Sequence, residues 1–304
     1  KETKHIYTSA EMMKERSLPE KLAIIGGGYI GLEFSSMYAR YGSNVTVFEY
    51  GNRLVKREDA DIADEIQKVL EKQGVSFVFE SRVKEVANDK KQVVITYDDK
   101  DGAEQKVTVD AVLLAAGRSA NTKGLGLEKA KVALDQRGNV IVNEYLQTSV
   151  PHIYAMGDVK GGLQFTYISL DDYRIVKDHL FGSKLRTTKN RGHIAYSVFI
   201  SPTFSRVGLS EQEAREQGYE VKTVSMPAAA IPRANVISQT DGILKAIIDA
   251  KTDQILGCVL FCAESEEMIN FVQLAMNQRL TYKEVGNHIF THPTMSEALN
   301  DLFG

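Results

Sequence analysis

Cysteine is scarce in this sequence of 304 residues, which contains only Cys258 and Cys262. Two thiols cannot make the disulfide framework of a small secreted domain, and their spacing, on a predicted strand that runs into a helix, suits no zinc site. We therefore interpret both as small buried hydrophobic side chains and predict no metal site.

The chain also lacks an excess of either charge and any long apolar run. Its formal net charge is −3 and its isoelectric point is about 6.1, so no broad cationic field is available for nucleic acid or an anionic membrane surface. The amino end, residues 1–5, is polar and unlike a signal peptide, and no stretch reaches the roughly 18–20 apolar residues of a membrane span. These absences predict a soluble, cytoplasmic protein whose partners are small molecules and protein.

Length and composition permit more than one hydrophobic core. Of the 304 residues, 43% are hydrophobic and 25% are charged, and a single core stops growing at roughly 250–300 residues. We therefore expect two or three domains.

Strands and helices alternate after a polar connector at residues 1–20. Strands are predicted at residues 21–25, 45–48 and 75–79, with one helix that ends at Gly42 and another from Asp59 to Gln73. This order predicts a right-handed parallel unit. Alternating runs at 92–97 and 106–109 indicate an antiparallel excursion, after which a buried strand at 111–116 returns to the sheet.

A glycine-rich turn joins the first strand to its helix, where residues 26–31 read Gly-Gly-Gly-Tyr-Ile-Gly. Gly26, Gly28 and Gly31 would permit a tight turn, close approach of a diphosphate to backbone N–H groups, and tight packing of the helix on the strand. Glu49 closes the next strand, where an acid can bind the ribose 2′-hydroxyl and repel a 2′-phosphate. The sequence favours NADH, and nearby Arg53 leaves NADPH possible. A turn used only for packing, and a solvated Glu49, are the alternatives.

The pattern changes beyond Gly117. A hairpin is predicted around residues 135–139, a short strand at 153–156 and a helix at about 167–180, and the polar loop 182–192 indicates a domain boundary. The last hundred or so residues predict an independent α/β layer, in which Ser210 and Glu213 form a capping box for a helix that ends at Gly218. Further strands are predicted at 220–225, 242–249 and 255–261, and a helix at 264–276.

Four ordered motifs carry a family resemblance: GGGYIGLE at residues 26–33, AGRSANT at 116–122, TSVPHIYAMGD at 148–158 and HPTMSE at 292–297. Their order and spacing resemble the pyridine nucleotide-disulfide oxidoreductases, the family of glutathione reductase, lipoamide dehydrogenase and mercuric reductase. The resemblance implies an α/β fold: the tail of an FAD domain at 1–20, a Rossmann-like three-layer NAD(H)-binding domain at 21–119, a remnant of the central FAD-contacting region at 120–190, and a C-terminal α+β dimerisation domain at 191–304.

The resemblance also implies roles for single residues. Tyr29 and Ile30 would line the nicotinamide pocket, Glu33 would help to position the nicotinamide end, and Gly117 would lie where the NAD domain returns to the flavin region. For the FAD contacts, the matching residues are Asp158, which would hold the ribityl hydroxyl, and Gln164, Phe165 and Thr166, which would begin a helix whose N–H groups face the flavin pyrimidine. A simple turn residue is the alternative for Asp158.

His292 and Glu297 match the general acid/base pair that, in the family, reaches across a homodimer to the partner's flavin and dithiol. A carboxylate can orient an imidazole and raise its basicity, so that the imidazole shuttles a thiol proton. Taken alone, a His before a Pro would more often be structural. Lipoamide dehydrogenases tend to carry a second His where this chain has Phe290. The resemblance implies a homodimer interface in the last domain, which residues 198–208, the strands after them and the helix that starts at Glu264 suit. A monomeric α/β domain is the alternative.

Within the family, residues 157–174 and 289–303 look most like the bacterial reactive-chlorine resistance flavoproteins, also described as hypothiocyanous acid reductases. In such an enzyme electrons pass from NADH through FAD and a Cys pair to an oxidant. The chain ends without the C-terminal Cys pair of mercuric reductase, which disfavours that enzyme.

The family's first domain, with its own flavin-binding turn and a Cys-x-x-x-x-Cys dithiol, has no counterpart before Lys1. We therefore expect a truncated polypeptide that is inactive alone and holds FAD weakly or not at all. One alternative is a nucleotide-binding and dimerisation module without catalysis. Others are an enzyme like lipoamide dehydrogenase or mercuric reductase, and an NADH oxidase or ferredoxin reductase, which usually lack the ending with His292 and Glu297.

Overall fold

The computed structural model describes residues 5–89 and 92–304, so the first four residues of the predicted connector lie outside the described part. The chain divides into two compact units. One is formed by the residues up to Ala116 together with those from His193 onward, and the other by residues 117–192. The α/β fold class is confirmed, whereas the domain boundaries drawn from the sequence stay predictions.

A five-stranded parallel sheet forms the first layer of the larger unit. Its strands are β1 (Ile6–Thr8), β2 (Lys21–Ile25), β3 (Asn44–Phe48), β4 (Val75–Val78) and β8 (Ala111–Leu114), in the spatial order β1-β8-β2-β3-β4. Three helices accompany them: α1 (Ser9–Met12), α2 (Tyr29–Arg40) and α3 (Ala60–Lys72). The parallel order is the one that the alternation of strands and helices predicts.

Residues 5–20 are more than a polar connector, which corrects the sequence-based expectation. Strand β1 pairs in parallel with β8, with Ile6 opposite Val112, and Met12 of α1 is buried. A strand of three residues is too short to show an alternating pattern. Its pairing therefore depends on a distant strand that local sequence does not reveal.

A second, antiparallel sheet of three strands lies between β4 and β8 in the chain: β5 (Arg82–Asp89), β6 (Gln92–Asp98) and β7 (Glu104–Val109). Strands β6 and β7 agree with the predicted excursion. Strand β5 was missed because none of its residues is fully buried, so its sequence carries little hydrophobic contrast.

The smaller unit has little regular structure besides α4 (Thr166–Phe181), which agrees with the predicted helix. Its small core contains Val132, Val140 and Ala155. The hairpin around residues 135–139 is present as a single antiparallel bridge, Leu134 to Val140. The strand predicted at 153–156 is reduced to one antiparallel bridge between Tyr154 and Gln147. The Thr148 N–H donates to the Ile153 oxygen and the Ala155 N–H to the Leu146 oxygen, and the pairing extends no further.

The carboxyl-terminal part of the larger unit contains a five-stranded antiparallel sheet: β9 (Ala195–Val198), β10 (Phe204–Gly208), β11 (Val221–Pro227), β12 (Ile243–Asp249) and β13 (Ile255–Phe261), in the order β11-β12-β13-β10-β9. Its helices are α5 (Glu211–Glu216), α6 (Pro232–Val236), α7 (Ser265–Asn277), α8 (Tyr282–Gly286) and α9 (Ala298–Leu302). The capping box of Ser210 and Glu213 is confirmed. Strands β9 and β10 and the five-residue helices α6, α8 and α9 were not predicted.

The two cysteines lie within this layer and are completely buried, which confirms the hydrophobic interpretation. Burial raises the pKa of the Cys262 thiol to about 12 and raises that of Cys258 as well. Both therefore stay protonated at neutral pH and are poor nucleophiles. Separately, no helix within the described ranges is both long enough and apolar enough to cross a membrane.

A buried lysine joins the parallel sheet's helix α3 to the antiparallel layer. Lys245 of β12 is 4% exposed, and its Nζ lies 3.1 Å from Asp59 Oδ2, 2.9 Å from Asp61 Oδ2 and 3.0 Å from Glu211 Oε2. Asp59 also accepts the N–H groups of Glu211 and Gln212 at the start of α5. Burial would raise the pKa of Asp59, but these donors and Lys245 hold it below its usual value.

We predict that Lys245→Met destabilises the chain by roughly 2–4 kcal/mol, because it leaves partly buried carboxylates without their cation. Urea unfolding at pH 7 measures this loss. A folded-state pKa below the usual value means that the contribution of Asp59 is present above its unfolded pKa and is lost as the pH falls through the folded pKa. The difference between variant and parent should therefore shrink below about pH 4.

The matched control is Lys72→Met, which removes an exposed pair with Asp241 at 2.7 Å. Such a pair contributes about 0–1 kcal/mol. Equal losses for the two variants would contradict the prediction.

Candidate functional site

The glycine-rich turn brings helix α2 unusually close to strand β2. A Cβ atom on Gly31 would lie 2.0 Å from the carbonyl oxygen of Gly26, and one on Gly26 would lie 2.6 Å from the carbonyl oxygen of Ala115. Gly26 also has a φ of 109°, a backbone conformation that residues other than glycine rarely adopt. These two glycines are therefore required by packing and backbone conformation.

Gly28 is different, because a Cβ built on it meets no described atom within 4 Å. It is the N-cap residue of α2, with ordinary extended backbone angles, φ −83° and ψ −179°. Neither packing nor conformation requires a glycine at this position. The open space lies at the amino end of a twelve-residue helix, where backbone donors and the helix dipole favour an anion. The turn thus fits a diphosphate group.

Glu49 lies directly against this turn. Its Oε2 accepts the Gly27 N–H at 2.8 Å, its Oε1 accepts the Gly51 N–H at 2.7 Å, and Lys56 Nζ is 3.7 Å from Oε1. The side chain is 15% exposed. The carboxylate therefore stabilises the turn through these hydrogen bonds. Each of its oxygens retains a second lone pair that can accept a hydrogen bond from a ligand hydroxyl. Its contact with a ribose stays a prediction.

The residues predicted for the nicotinamide end begin the same helix. Tyr29 and Ile30 are both half-buried, and the Tyr29 hydroxyl donates to Glu58 Oε1 at 3.0 Å. Glu33 lies one turn further along, where its Oε1 accepts the Phe199 N–H at 2.9 Å. Burial raises the pKa of the Glu33 carboxyl above its usual value.

Glu33 also lines a cavity of about 910 Å³ between α2 and residues 199–203. Arg40 and Met37 contribute the helix side of this cavity, and Phe199 and Pro202 contribute the opposite side. Phe199 is 65% exposed. Glu33 therefore faces the antiparallel layer rather than the glycine-rich turn.

The residues predicted to contact the flavin lie in the smaller unit, which begins at Gly117. Asp158 lies in a 3-10 turn, Gly157–Lys160, and is half-exposed, with Arg118 Nη2 at 4.0 Å. Helix α4 begins at Thr166 with Phe165 as its N-cap and Gln164 half-buried just before it. The sixteen-residue helix α4 contacts the 3-10 turn, so an accessible carboxylate and a helix N-terminus occur within one unit, as an acceptor and donors for FAD require.

Asp172 was missed by the sequence interpretation although it fixes this turn. It is completely buried, its Oδ2 accepts the Gly157 N–H at 2.7 Å and lies 3.4 Å from Lys160 Nζ, and its Oδ1 accepts from Arg191 Nη2. The carboxylate thus holds the backbone immediately before Asp158. The only signal in the sequence was a charged residue at a helix position that faces inward.

His292 and Glu297 are brought together near the end of the chain. His292 Nδ1 and Glu297 Oε2 are 2.6 Å apart, and the imidazole is 70% exposed while the carboxylate is 15% exposed. The His292–Pro293 bond is cis. A carboxylate on Nδ1 leaves Nε2 as the ring nitrogen that can exchange a proton with another molecule. Phe290, where a second His was considered, packs edge-on against His288.

The surface expected to form an interface is only partly available. Residues 204–207 of β10 are buried between β9 and β13, so most of the segment 198–208 is interior, which corrects that expectation. On α7, however, Phe271 and Leu274 are 51% and 61% exposed, and nearby Ile289 is 91% exposed. Exposed apolar side chains of this size are typical of a protein contact surface.

We predict that Gly31→Ala destabilises the fold far more than Gly28→Ala does. Gly31→Ala should destabilise the chain by roughly 3 kcal/mol or more, since the new methyl group meets backbone. Gly28→Ala should cost less than about 1 kcal/mol while obstructing the position of a diphosphate. Thermal unfolding of the two variants measures the difference. If Gly28→Ala were the more destabilising, the space at Gly28 would not be open.

Comparison with known families matches both parts of the chain. The model described as "Pyridine nucleotide-disulphide oxidoreductase" matches residues 1–172. The model described as "Pyridine nucleotide-disulphide oxidoreductase, dimerisation domain" matches residues 194–303.

Curated relatives agree with these models. The chain is 47% identical over 301 residues to the "Probable pyridine nucleotide-disulfide oxidoreductase RclA" of Escherichia coli (strain K12), covering 99% of this chain and 67% of that protein. It is 35% identical over 299 residues to the "Dihydrolipoyl dehydrogenase" of Mycobacterium tuberculosis (strain ATCC 25618 / H37Rv), covering 98% of this chain and 64% of that protein. The chain thus spans about two thirds of these relatives.

Solved structures give the same result. The Cu(II) complex of the HOCl-induced flavoprotein disulfide reductase RclA from Escherichia coli superposes with a TM-score of 0.94 at 47% identity, over 99% of this chain and 67% of that one. LpdA from Mycobacterium tuberculosis gives a TM-score of 0.88 at 25% identity, over 97% of this chain and 63% of that one. The resemblance inferred from four motifs is therefore confirmed: the chain belongs to the pyridine nucleotide-disulphide oxidoreductase family, whose members use FAD and NAD(P)H.

Proposed function

We propose that this chain supplies the NAD(H)-binding and dimerisation parts of an FAD-dependent disulfide oxidoreductase. In the complete enzyme, electrons would pass from NADH through FAD and a Cys pair outside this sequence to an oxidant such as hypothiocyanous acid. The open position at Gly28, between a helix N-terminus and Glu49, carries this proposal. It is the one glycine of the motif that packing leaves unexplained.

At the pyridine nucleotide site, the N-terminus of α2 binds the diphosphate and Glu49 accepts a hydrogen bond from the adenosine ribose. Tyr29 and Ile30 form the wall beside the nicotinamide. The Glu49 carboxylate repels the 2′-phosphate of NADPH, so NADPH binds more weakly than NADH. Lys56 Nζ, 3.7 Å from Glu49 Oε1, partly offsets the carboxylate charge, so NADPH is not excluded.

At the flavin site, the Asp158 carboxylate accepts hydrogen bonds from hydroxyl groups of the ribityl chain. The residues from Gln164 to Thr166 begin helix α4, whose N-terminus faces the pyrimidine ring. Asp172 keeps the turn before Asp158 in place through the Gly157 N–H. FAD, when bound, supplies two-electron chemistry between a hydride donor and a disulfide. The protein contributes binding, orientation and positive potential at the ring.

The His292 imidazole handles the proton of a thiol. Glu297 holds Nδ1, so Nε2 accepts the proton from a thiol and later returns it. The dimerisation-domain match points to a homodimer, and the apolar side chains of Phe271, Leu274 and Ile289 suit that contact. His292 then serves the redox site of the partner subunit.

The 304 residues by themselves provide no accessible dithiol. Cys258 and Cys262 are both buried, and burial raises the pKa of each thiol, so neither supplies a thiolate to a disulfide. We therefore expect this polypeptide alone to bind pyridine nucleotide without reducing disulfides. The same observation supports the second candidate, a nucleotide-binding and dimerisation module without catalysis.

We predict that Glu49→Ala lowers NADH affinity roughly 10- to 100-fold, since a hydrogen bond to a charged group is worth about 1.5–3 kcal/mol and the turn loses the contact of Glu49 with the Gly27 N–H. NADPH affinity should fall less, because the carboxylate no longer repels the 2′-phosphate. Calorimetric titration of the purified chain with both nucleotides measures the ratio. Glu71→Ala, on the exposed side of α3, is the matched control. An equal loss for both nucleotides would argue against a ribose contact.

We predict that the enzyme which includes the flavin- and dithiol-bearing region consumes NADH fastest with hypothiocyanous acid, compared with oxidised glutathione, lipoamide and mercuric ion. Its His292→Gln variant should lose roughly 100-fold or more in kcat, as expected for a general acid/base. His193→Gln is the control, because that side chain is exposed and outside the HPTMSE motif. Turnover with lipoamide only would refute the hypothiocyanous acid assignment, and lack of turnover with every oxidant would favour the non-catalytic module.

A further inference from the structure

One buried carboxylate, which contacts the tyrosine that follows Gly28, has no role in the proposed nucleotide, flavin or proton-transfer sites. Glu58, at the end of the loop after Glu49, is 2% exposed. Its Oε1 accepts the hydroxyl of Tyr29 at 3.0 Å and that of Tyr196 at 2.5 Å. Its Oε2 accepts from Arg206 Nη1 at 3.1 Å. Three donors therefore converge on one carboxylate in the interior.

Arg206 fixes the orientation of this carboxylate. It is 4% exposed, and besides Glu58 it donates to the carbonyl oxygens of Arg57 at 3.0 Å and Gly208 at 3.2 Å, and to Glu213. A guanidinium held by two backbone carbonyls is a rigid donor. Glu58 therefore receives its direction from strand β10, and not from a mobile surface cation.

Tyr29 connects this network to the ligand site. It is the first residue of α2 and directly follows Gly28, the open position of the turn. Its hydroxyl donates to Glu58 Oε1 at 3.0 Å and lies 3.2 Å from the Tyr196 hydroxyl, and the two rings pack with their centroids 5.6 Å apart. Burial and the neighbouring Glu58 raise the pKa of Tyr29, so the phenol stays a donor at neutral pH.

Fold stability alone is a weak explanation for such a group. Burying a carboxylate and a guanidinium costs several kcal/mol in desolvation, and packed hydrophobic side chains often replace such pairs without loss. A buried hydrogen-bonded network does however hold the side chains that form it in one arrangement. The member of the network that directly follows the open position at Gly28 is Tyr29.

We propose that Glu58 is a positioning residue for the dinucleotide site: oriented by Arg206, it anchors the Tyr29 side chain so that the wall beside Gly28 is formed before the ligand binds. The inference rests on the proposed pyridine nucleotide site. Its energetic basis is that ordering one side chain on binding costs about 0.5–1.5 kcal/mol, which a pre-anchored ring avoids.

The test compares two hydroxyl deletions on the same carboxylate oxygen. Tyr29→Phe should weaken NADH binding by the purified chain about 3- to 10-fold, because the ring is freed. Tyr196→Phe should change it by less than about twofold, because Glu58 keeps both Arg206 and Tyr29. Both variants should lower the unfolding temperature to a similar extent. A purely structural role for the network would move the unfolding temperature without separating the two affinities.

A double-mutant cycle decides whether Glu58 acts through Tyr29. Glu58→Gln should weaken NADH binding by a factor similar to that of Tyr29→Phe, and the combined variant should be no weaker than either one. Multiplying losses, or unchanged affinity in Tyr29→Phe, would overturn the inference. If Glu58→Gln fails to fold, the two Tyr variants still decide it. A parent chain that binds no NADH at all refutes the proposed nucleotide site instead, so the two failures are distinguishable.

Discussion

The contact between helix α2 and strand β2 is the constraint on which the rest of the proposed nucleotide site depends. The carbonyl oxygen of Gly26 occupies the space where Gly31 would carry a Cβ, so the helix can begin at the end of the strand only because both residues are glycines. This approach places the helix N-terminus beside the carboxyl ends of β3 and β8. Glu49, at the end of β3, can then reach the Gly27 N–H, and the carboxylate and helix dipole act on one small region.

The second constraint is a pair of consecutive carboxylates, Glu58 and Asp59, which both bind cations of the antiparallel sheet. Glu58 contacts Arg206, and Asp59 contacts Lys245 and caps α5. Both cations belong to the antiparallel sheet and are almost completely buried. Because the two acids directly follow the loop that starts after Glu49, the far end of that loop is anchored in the other layer. The proposed nucleotide site would therefore depend on the packing of two layers, and not on the Rossmann unit alone.

The sequence predicted those parts that local rules determine. Strand β2 and helices α2, α3 and α5 have apolar periodicity, a glycine turn or a capping box within a few residues, and their bounds agree with the structure to within a few residues. Strand β1, strand β5 and helices α6, α8 and α9 are short or weakly buried, so nothing local distinguishes them from loops. For the site, motifs led to the prediction of Gly28, Glu49, His292 and Glu297, whose roles stay predictions. Glu58, Arg206 and Asp172 were missed because their importance lies in burial and in partners distant along the chain.

The end of the chain illustrates how an incomplete site can be recognised from exposure. Glu297 is mostly buried and fixes the His292 ring, yet the imidazole itself remains 70% exposed. A mostly buried carboxylate therefore orients an imidazole whose other ring atoms largely face solvent. Ile289 precedes His292 by three residues and Phe271 packs against Phe290, and the apolar surface that both expose is typical of a contact with another molecule. An imidazole that is oriented but still exposed is expected of a proton carrier whose substrate arrives on a second molecule. Water then needs to be excluded only when that molecule is in place. The same association that buries the apolar face would then enclose His292 Nε2, so dimerisation and proton transfer would depend on one surface.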